Sequence, residues 1–397
     1  MSPELSPADA AFRDEVRRFL AAELSDELRL AGRRTAGIFT DFPEGQDWFR
    51  VLAKKGWSVP HWPVEWGGCG WTPRQHDIFA NELAAAGAPA LAPQGSRMVA
   101  PVVLAFGTPE QKQRWLPGIR NGDDYWCQGY SEPGSGSDLA SLQCKAVRDG
   151  DEYVINGTKI WTTHAQYANK MFCLVRTDNS GKPQQGISFL LFDIQNLPGL
   201  TIRPIISISG DHELNQVFFD DVRVPASALL GEENQGWTIA KYLLLHERGG
   251  SYTPMLRAKL QRLQAAAASA LAGADADERR DVQRGLADAE CRIDALHALE
   301  QQVLAARIRG VDDPIAPSVG KLLGTELKQL LTELGVLIAG PYAAARVTMA
   351  AAAEHALGLP EDALYAMSAY LNDRAASIYA GTNEVQRNII AQHLLSH

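Results

Sequence analysis

The chain has 397 residues, a net charge of -9 and a pI near 5.5. Its length allows two to three domains and a core large enough to enclose a sizeable ligand. The acidic balance, with no run of Lys and Arg, excludes the concentrated basic footprint of a nucleic-acid surface.

No stretch of about 18 apolar residues occurs and the N-terminus has no apolar leader, so neither membrane spanning nor secretion is expected, and a cytoplasmic location is. Cys69, Cys127, Cys144, Cys173 and Cys291 form no CxxC pair and no even framework. We expect no zinc site or other metal and no disulfide scaffold, and read all five as reduced core residues.

Ser6 and Pro7, followed by Phe12, Val16, Phe19 and Leu20 at helical spacing, predict an N-capped amphipathic helix. Helical patterns continue through "ELAAAGAPALA" to "PEQKQRWLP", which makes residues 1–122 an expected α-helical domain. From 123 the texture changes to short β-rich runs, "EYVING", "MFCLVRTD", "GISFLLFDI", "TIRPI" and "NQVFFDDVRVP", separated by turns such as Asp149-Gly150. Residues 123–236 are therefore expected to be a small β domain. After "GEENQGW" the chain is rich in Ala, Leu, Glu and Arg, and 237–397 reads as a helical bundle. The order α, β, α predicts an α+β fold with a cleft where the three parts meet.

Within this frame, "YSEPGSGSD" (130–138) combines hydroxyls, a rigid proline and two glycines. Such a turn lets backbone N–H groups approach a phosphate without a Cβ in the way, although the same residues also suit a plain surface turn. "KIWTTHAQYA" (159–168) sets an indole beside two hydroxyls, suited to an aromatic cofactor ring or to an ordinary core. His164 and His246 read as ordinary polar or core histidines. Near the C-terminus, "SIYAGTNEVQRNII" interrupts a helix with the short insert Tyr379-Ala380-Gly381-Thr382 and restarts it at once. Thr382 or Asn383 can cap the new helix, so the insert is a held loop able to aim backbone N–H groups at a ligand.

In order, "YSEPGSGSD", "WTT", "FFDDVRVP", "GEENQGW" and "YAGTNEVQRNII" resemble the signatures of the flavin-dependent acyl-CoA dehydrogenases over nearly the whole chain. The resemblance implies an N-terminal α-helical domain, a middle β-barrel or β-sandwich domain and a C-terminal four-helix bundle. "VPHWPVEWGGCGWTP", "DDYWCQGYSEPGSGSDLASL" and "HAQYANKMFCLVRTD" look most like the large subunit of the pimeloyl-CoA dehydrogenase type, close to heteromeric enzymes acting on steroid side chains. FAD is the implied cofactor. By position, the segment Gln128 to Ser131, with Tyr130, matches hydrogen bonds to the flavin ring. Ser137 matches a serine at the pyrophosphate and near the thioester, and Trp161 with Thr163 matches the pair lining the flavin. Thr382 and Glu384 stand near the flavin-adenosine contacts, Glu384 where Gln is frequent.

The residue before the loop Gly-Thr is, in the commonest members, the glutamate that removes the substrate α-proton. Here it is Ala380. Its backbone N–H can still polarise the thioester carbonyl, since that role needs no side chain. Another branch places the base on the first helix after the β domain, and the matching "KYLLLHERGG" carries Glu247 on the face of Ala240, Leu243 and Leu244. The implied reaction is α,β-dehydrogenation of an acyl-CoA, with Glu247 taking the α-proton and hydride passing to flavin N5. Glu247 paired with Arg248 or lying on a solvated face is the competing interpretation. Arg248 is assigned to orienting the loop or the carboxylate. The pair Gly249-Gly250 either ends the helix or makes room for a wide acyl group, and we favour room.

The segments "DADERRDVQRG" and "LIAGPYAAAR" are degenerate where homotetrameric members reach a neighbouring subunit's FAD. This points to completion of the FAD site by a second, smaller subunit, a homodimer with altered contacts being the alternative. An electron-transfer flavoprotein is the electron acceptor the resemblance implies. A non-catalytic scaffold subunit and a flavin monooxygenase or oxidase on the same fold are the rival functions. Arg97, in "GSRMVAP", stands near the far end of the family's acyl pocket, where it could meet a distal carboxylate or simply be a paired surface residue.

Overall fold

The computed structural model describes residues 5–35, 37–247, 250–273, 275–311, 313–344 and 365–396, with the backbone alone for 245–247 and 272. Helices come first: α1 (Pro7–Glu23), α2 (Asp26–Arg34), α3 (Glu44–Lys55), α4 (Pro73–Ala86), α5 (Ala100–Phe106) and α6 (Pro109–Asn121). Ser6, Thr72 and Thr108 each precede a proline and accept an N–H from the first turn; Thr72 and Thr108 complete reciprocal boxes with Gln75 and Gln111. A π-helical turn, Gln94–Val99, leads into α5.

The strands are β1 (Trp126–Gly129), β2 (Lys145–Asp149), β3 (Glu152–Lys159), β4 (Lys170–Arg176), β5 (Ile187–Asp193), β6 (Leu200–Ile205), β7 (Leu214–Pro225) and β8 (Leu229–Leu230). They form one mixed sheet in the order β6-β7-β3-β2-β4-β5-β8, with β1 parallel to β4. The twofold side-chain period sorts β4 and β5 between two cores. Phe172, Leu174, Phe189 and Leu191 face the N-terminal helices, while Met171, Cys173, Leu190 and Phe192 join Ile155 and Val217 on the other face. Both faces are covered, so these strands read as continuous apolar runs.

The chain then returns to helices: α7 (Gly236–Glu247), α8 (Thr253–Ala270), α9 (Ala276–Ile308), α10 (Ala316–Ala339), α11 (Ala366–Asp373) and α12 (Asn383–Leu395). The α, β, α order is the one expected. Leu256, Leu260, Ile293, Leu331 and Leu334 build a separate core among α8, α9 and α10, and α11 and α12 pack on α10. α7 belongs elsewhere: Ile239, Ala240 and Leu243 enter the core shared with Val99 and Phe189. It is the joint between all three sections.

Cys127, Cys144 and Cys173 are buried, but Cys69 is half-buried and Cys291 is exposed, which corrects the expectation of five core cysteines. The buried stripe of α9 runs through Val282, Leu286, Ala289, Ile293 and Leu296, and position 291, two from both 289 and 293, falls on the opposite face.

Candidate active site

The loop 130–138 is held from below by a buried ion pair. Glu132 and Ser135 exchange backbone hydrogen bonds of 2.8 and 3.0 Å, closing the Pro-Gly turn. The Glu132 carboxylate accepts from Lys159 Nζ at 2.7 Å, from the Cys144 N–H at 2.9 Å and from the Gln143 N–H at 2.6 Å. Lys159 is 0% exposed and also donates to the Tyr130 carbonyl at 3.1 Å. The Tyr130 ring lies in the core, edge-on to Phe172 and Phe189, so what it offers a ligand is backbone. Ser137 is exposed and Gln128 half-buried, and Gly134 and Gly136 have open space where a Cβ would stand.

The "WTT" segment leaves β3 directly beside this loop, the Ile160 N–H donating to the Ser131 carbonyl at 2.9 Å. Trp161 takes φ 59°, a left-handed conformation costly for a bulky residue, and its side chain is 56% exposed. The Thr162 hydroxyl is buried without a partner among the described residues, and Thr163 is half-buried. His164 is a core residue: Nδ1 lies 2.7 Å from the Tyr125 hydroxyl, and burial pushes its pKa down to about 4.

Glu213 ties the turn to the rest of the molecule. Its carbonyl accepts the His164 N–H at 2.9 Å; its carboxylate accepts the Ile38 N–H at 2.8 Å and Asn372 Nδ2, on α11, at 3.0 Å. N-terminal section, sheet and C-terminal helices therefore meet at one side chain. Just beyond, Asp373 lies 2.7 Å from Lys328 and 3.8 Å from Lys259, beneath the loop that begins at Tyr379. Burial pushes Lys259 down to about 8 despite Asp373. It also works against the charge of Lys328, but Tyr379 and Asp373 more than offset it and hold Lys328 above the usual lysine range.

The C-terminal loop is held, as expected. Ala380 (φ 54°) and Gly381 (φ 82°) are both left-handed, and Thr382 caps α12 by accepting the Val385 N–H at 3.2 Å. Asn383 accepts from Lys321 Nζ at 2.8 Å instead of capping, and the buried Gln386 donates to the Gly381 carbonyl at 3.2 Å. Among the described residues no acceptor is bonded to the Ala380 N–H. Polar contacts anchor α12, and its apolar Leu394 and Leu395 are exposed. Glu384 is exposed, its pKa lowered by its own N–H and Thr382; the hydrogen bonds around Thr382 and Glu384 run within α12 and, through Asn383, to α10.

Glu247 ends α7, and its side chain lies outside what is described, as does Arg248 entirely. Arg97, on the π-turn, packs its guanidinium over Gly250, taking the space that the glycine leaves there. A small cavity beside the π-turn, lined by Thr40, Gln46, Gln94 and Trp126, has about 20 Å³, room for one water and no more. Sequence reasoning missed Glu132, Lys159 and Glu213. The signal available was a lysine at an inward-facing position of β3, immediately before "IWTT".

The N-terminal-domain model of the acyl-CoA dehydrogenases matches residues 6–123, the middle-domain model 127–222 and the C-terminal-domain model 234–395. The chain belongs to the acyl-CoA dehydrogenase family. Members are FAD-dependent oxidoreductases acting on acyl-CoA. Acyl-CoA dehydrogenase IpdE1 of Mycobacterium tuberculosis is 36% identical over 97% of this chain and 96% of its own. Among solved structures, the "Tcur3481-Tcur3483 steroid ACAD" is 28% identical with a TM-score of 0.84, covering 100% of this chain and 99% of that one. The ChsE4-ChsE5 complex from Mycobacterium tuberculosis is 31% identical with a TM-score of 0.79, covering 100% and 99%. Among the described residues of this acyl-CoA dehydrogenase family member, no helix is long and apolar enough to cross a membrane.

Proposed function

We propose that this chain catalyses α,β-dehydrogenation of an acyl-CoA thioester, with Glu247 as the base that removes the α-proton. The observation that carries this reading is the 2.9 Å hydrogen bond from Ile160 to Ser131, which sets the open glycine loop and the exposed Trp161 side by side. The residues present fit an FAD: Trp161 offers an aromatic platform, Thr162 an unpartnered hydroxyl, and Gly134 and Gly136 room for close approach. Gln128, Tyr130 through its backbone, Ser131, Ser137, Trp161 and Thr163 would hold it, with Thr382 and Glu384 toward its adenosine. Bound there, FAD supplies the acceptor for the hydrogen and electron pair leaving the β-carbon.

The chain's own residues do the rest. Leu243, one turn before Glu247, is buried in the central core, so helical spacing carries the 247 position toward that face. Exclusion of water there would raise the carboxylate's pKa toward that of a useful base. The Ala380 N–H, bonded to nothing among the described residues, is aimed by the Thr382 cap and would stabilise the thioester oxygen as negative charge develops. Arg248 orients the carboxylate or the loop, and Arg97 and Ser137 line the acyl-CoA cleft.

The partner is a second, smaller subunit of the same family, and the electron acceptor an electron-transfer flavoprotein. Support for the former comes from the two-component names of the solved relatives and from exposed Leu337, Tyr342, Ile378, Leu394 and Leu395, apolar surface on the C-terminal section. The steroid label of one such relative suggests bulky acyl groups. The test is expression of this chain alone and with its candidate smaller neighbour, followed by anaerobic titration with saturated acyl-CoAs. Bound flavin bleached by at least one thioester is expected; flavin that no thioester bleaches would sink the proposal.

A further inference from the structure

Two imidazoles and a guanidinium meet beside the end of α7, and no role assigned so far uses the histidines. His61 and His76 stack with ring centroids 4.0 Å apart and planes 17° from parallel. Trp71 packs edge-on to His76 at 5.5 Å. The next residue after His61, Trp62, is buried and donates its indole N–H to the Ser96 carbonyl at 2.8 Å, which fixes the 61–62 segment against the π-turn carrying Arg97. On that turn Gln94, Met98 and Val99 are buried, so Arg97 projects from a rigid support. Its Nη2 and Nη1 lie 3.5 and 3.8 Å from where a Cβ on Gly250 would stand.

Gly250 is three residues beyond Glu247, and at about 3.5 Å per residue the two Cα atoms are within roughly 11 Å of each other. The cluster therefore borders the proposed reaction centre. Arg97 and His61 are reached by solvent, yet protein crowds them closely enough that burial lowers the pKa of Arg97 and pushes His61 down to about 3. Exposure combined with crowding is the condition of a cleft wall. Burial and the nearby Arg97 charge lower His76 as well. At neutral pH both rings are uncharged, each able to donate and to accept one hydrogen bond.

Among the described residues Arg97 makes no ion pair, and His76 Nδ1 is buried with no partner. Among the described side chains the cluster thus holds one positive charge, two neutral imidazoles and no acid. A hydrocarbon laid against the exposed Arg97 guanidinium would strip water from a cation that has no counter-charge among the described residues, which is costly. A ligand oxygen would offset it, since hydrogen bonds to charged donors are the strong ones.

We infer that Arg97, His61 and His76 form a polar subsite of the acyl cleft that takes an acyl group carrying an oxygen acceptor, carboxylate or ring carbonyl, a few carbons beyond the reacting pair. This deepens the dehydrogenase reading and rests on it. Arg97 supplies the charge, while the stacked rings select for lone pairs over methyl groups.

The test uses the flavin-loaded enzyme, with its partner subunit if loading requires one, and three saturated acyl-CoAs of matched size: a plain hydrocarbon, a terminal carboxylate and a ring ketone. Bleaching rates and kcat/KM are expected to favour one oxygenated arm over the hydrocarbon by tenfold or more. Arg97→Met should narrow that ratio to within about threefold, mainly through KM, and Arg97→Lys should restore part of it on the carboxylate arm. A pair of variants, His61→Phe and His76→Phe, should each narrow it less. Equal use of the three thioesters, or a preference that survives Arg97→Met, overturns the subsite. If none of the three bleaches the flavin, the dehydrogenase reading falls and calorimetric binding of the same thioesters decides the subsite. Tighter binding of an oxygenated arm that Arg97→Met abolishes upholds it, and equal binding overturns it.

Discussion

Removing the Glu132 carboxylate should be among the most damaging single changes in the β section. Glu132 is 9% exposed and Lys159 0%, and the carboxylate accepts from the ammonium and from two backbone N–H groups. Glu132→Ala leaves a buried ammonium whose remaining hydrogen-bond acceptor is the Tyr130 carbonyl, and breaking a buried pair from one side costs about 3–5 kcal/mol. The Gln143 and Cys144 N–H groups also lose their acceptor, at roughly 1–3 kcal/mol each, of which water entering the half-exposed loop would recover part. We expect a net loss near 4 kcal/mol. Lys159→Met should cost about half as much, on the order of 2 kcal/mol, because the carboxylate keeps both backbone donors. The double variant Glu132→Ala with Lys159→Met removes both charges together and should be less destabilised than the summed single changes by roughly 2 kcal/mol. Urea denaturation followed by circular dichroism measures all of these, and flavin retention should fall in parallel, since the pair holds the backbone at Tyr130 and Ser131. A loss below about 1 kcal/mol for Glu132→Ala, or strict additivity, would refute the assigned anchoring role.

Two further outcomes can be checked on the same preparation. The folded pKa of Lys259, lowered from 10.5 to about 8, corresponds to a penalty of roughly 3 kcal/mol, reduced to about 1–2 by its partial exposure. A lysine depressed in the folded state carries the full penalty below pH 8 and is relieved of it as pH rises toward 10.5. Lys259→Gln should therefore be more stable than the parent at pH 7, with the advantage vanishing near pH 10. Thr382→Ala removes the cap on α12 and should cost about 1 kcal/mol, while Thr382→Ser should cost little. Thermal melts would distinguish the two, and equal losses would argue against a capping role.

Local chemistry was legible in the sequence because it is written within a few residues: the Ser6-Pro7 helix start, the short apolar runs that form β4 and β5, and the restart of the chain at Thr382. The loop with no side chain to offer at Ala380 was legible too. What escaped lies in partners far apart along the chain. Lys159 meets Glu132 across 27 residues, and Glu213 reaches Ile38 and Asn372 across 175 and 159, separations over which no periodic pattern carries information. The same holds for the stacked His61 and His76, whose meeting depends on how the turn before α4 folds back. α12 misled in another way: Val385, Ile389 and Leu394 suggest an apolar face, but Asn383 and Gln386 are the residues it buries. For Gly250, the space goes at least in part to the Arg97 guanidinium, which composition alone could not foresee.

Glu247 as the proton acceptor is the claim on which the chemistry turns, and single-turnover mixing addresses it most directly. Flavin-loaded Glu247→Gln, mixed without oxygen with a thioester that bleaches the parent, should bind that thioester normally but bleach more slowly by about 10²–10⁴-fold, the usual worth of a general base. Bleaching at the parental rate would contradict it and move the base to another side chain.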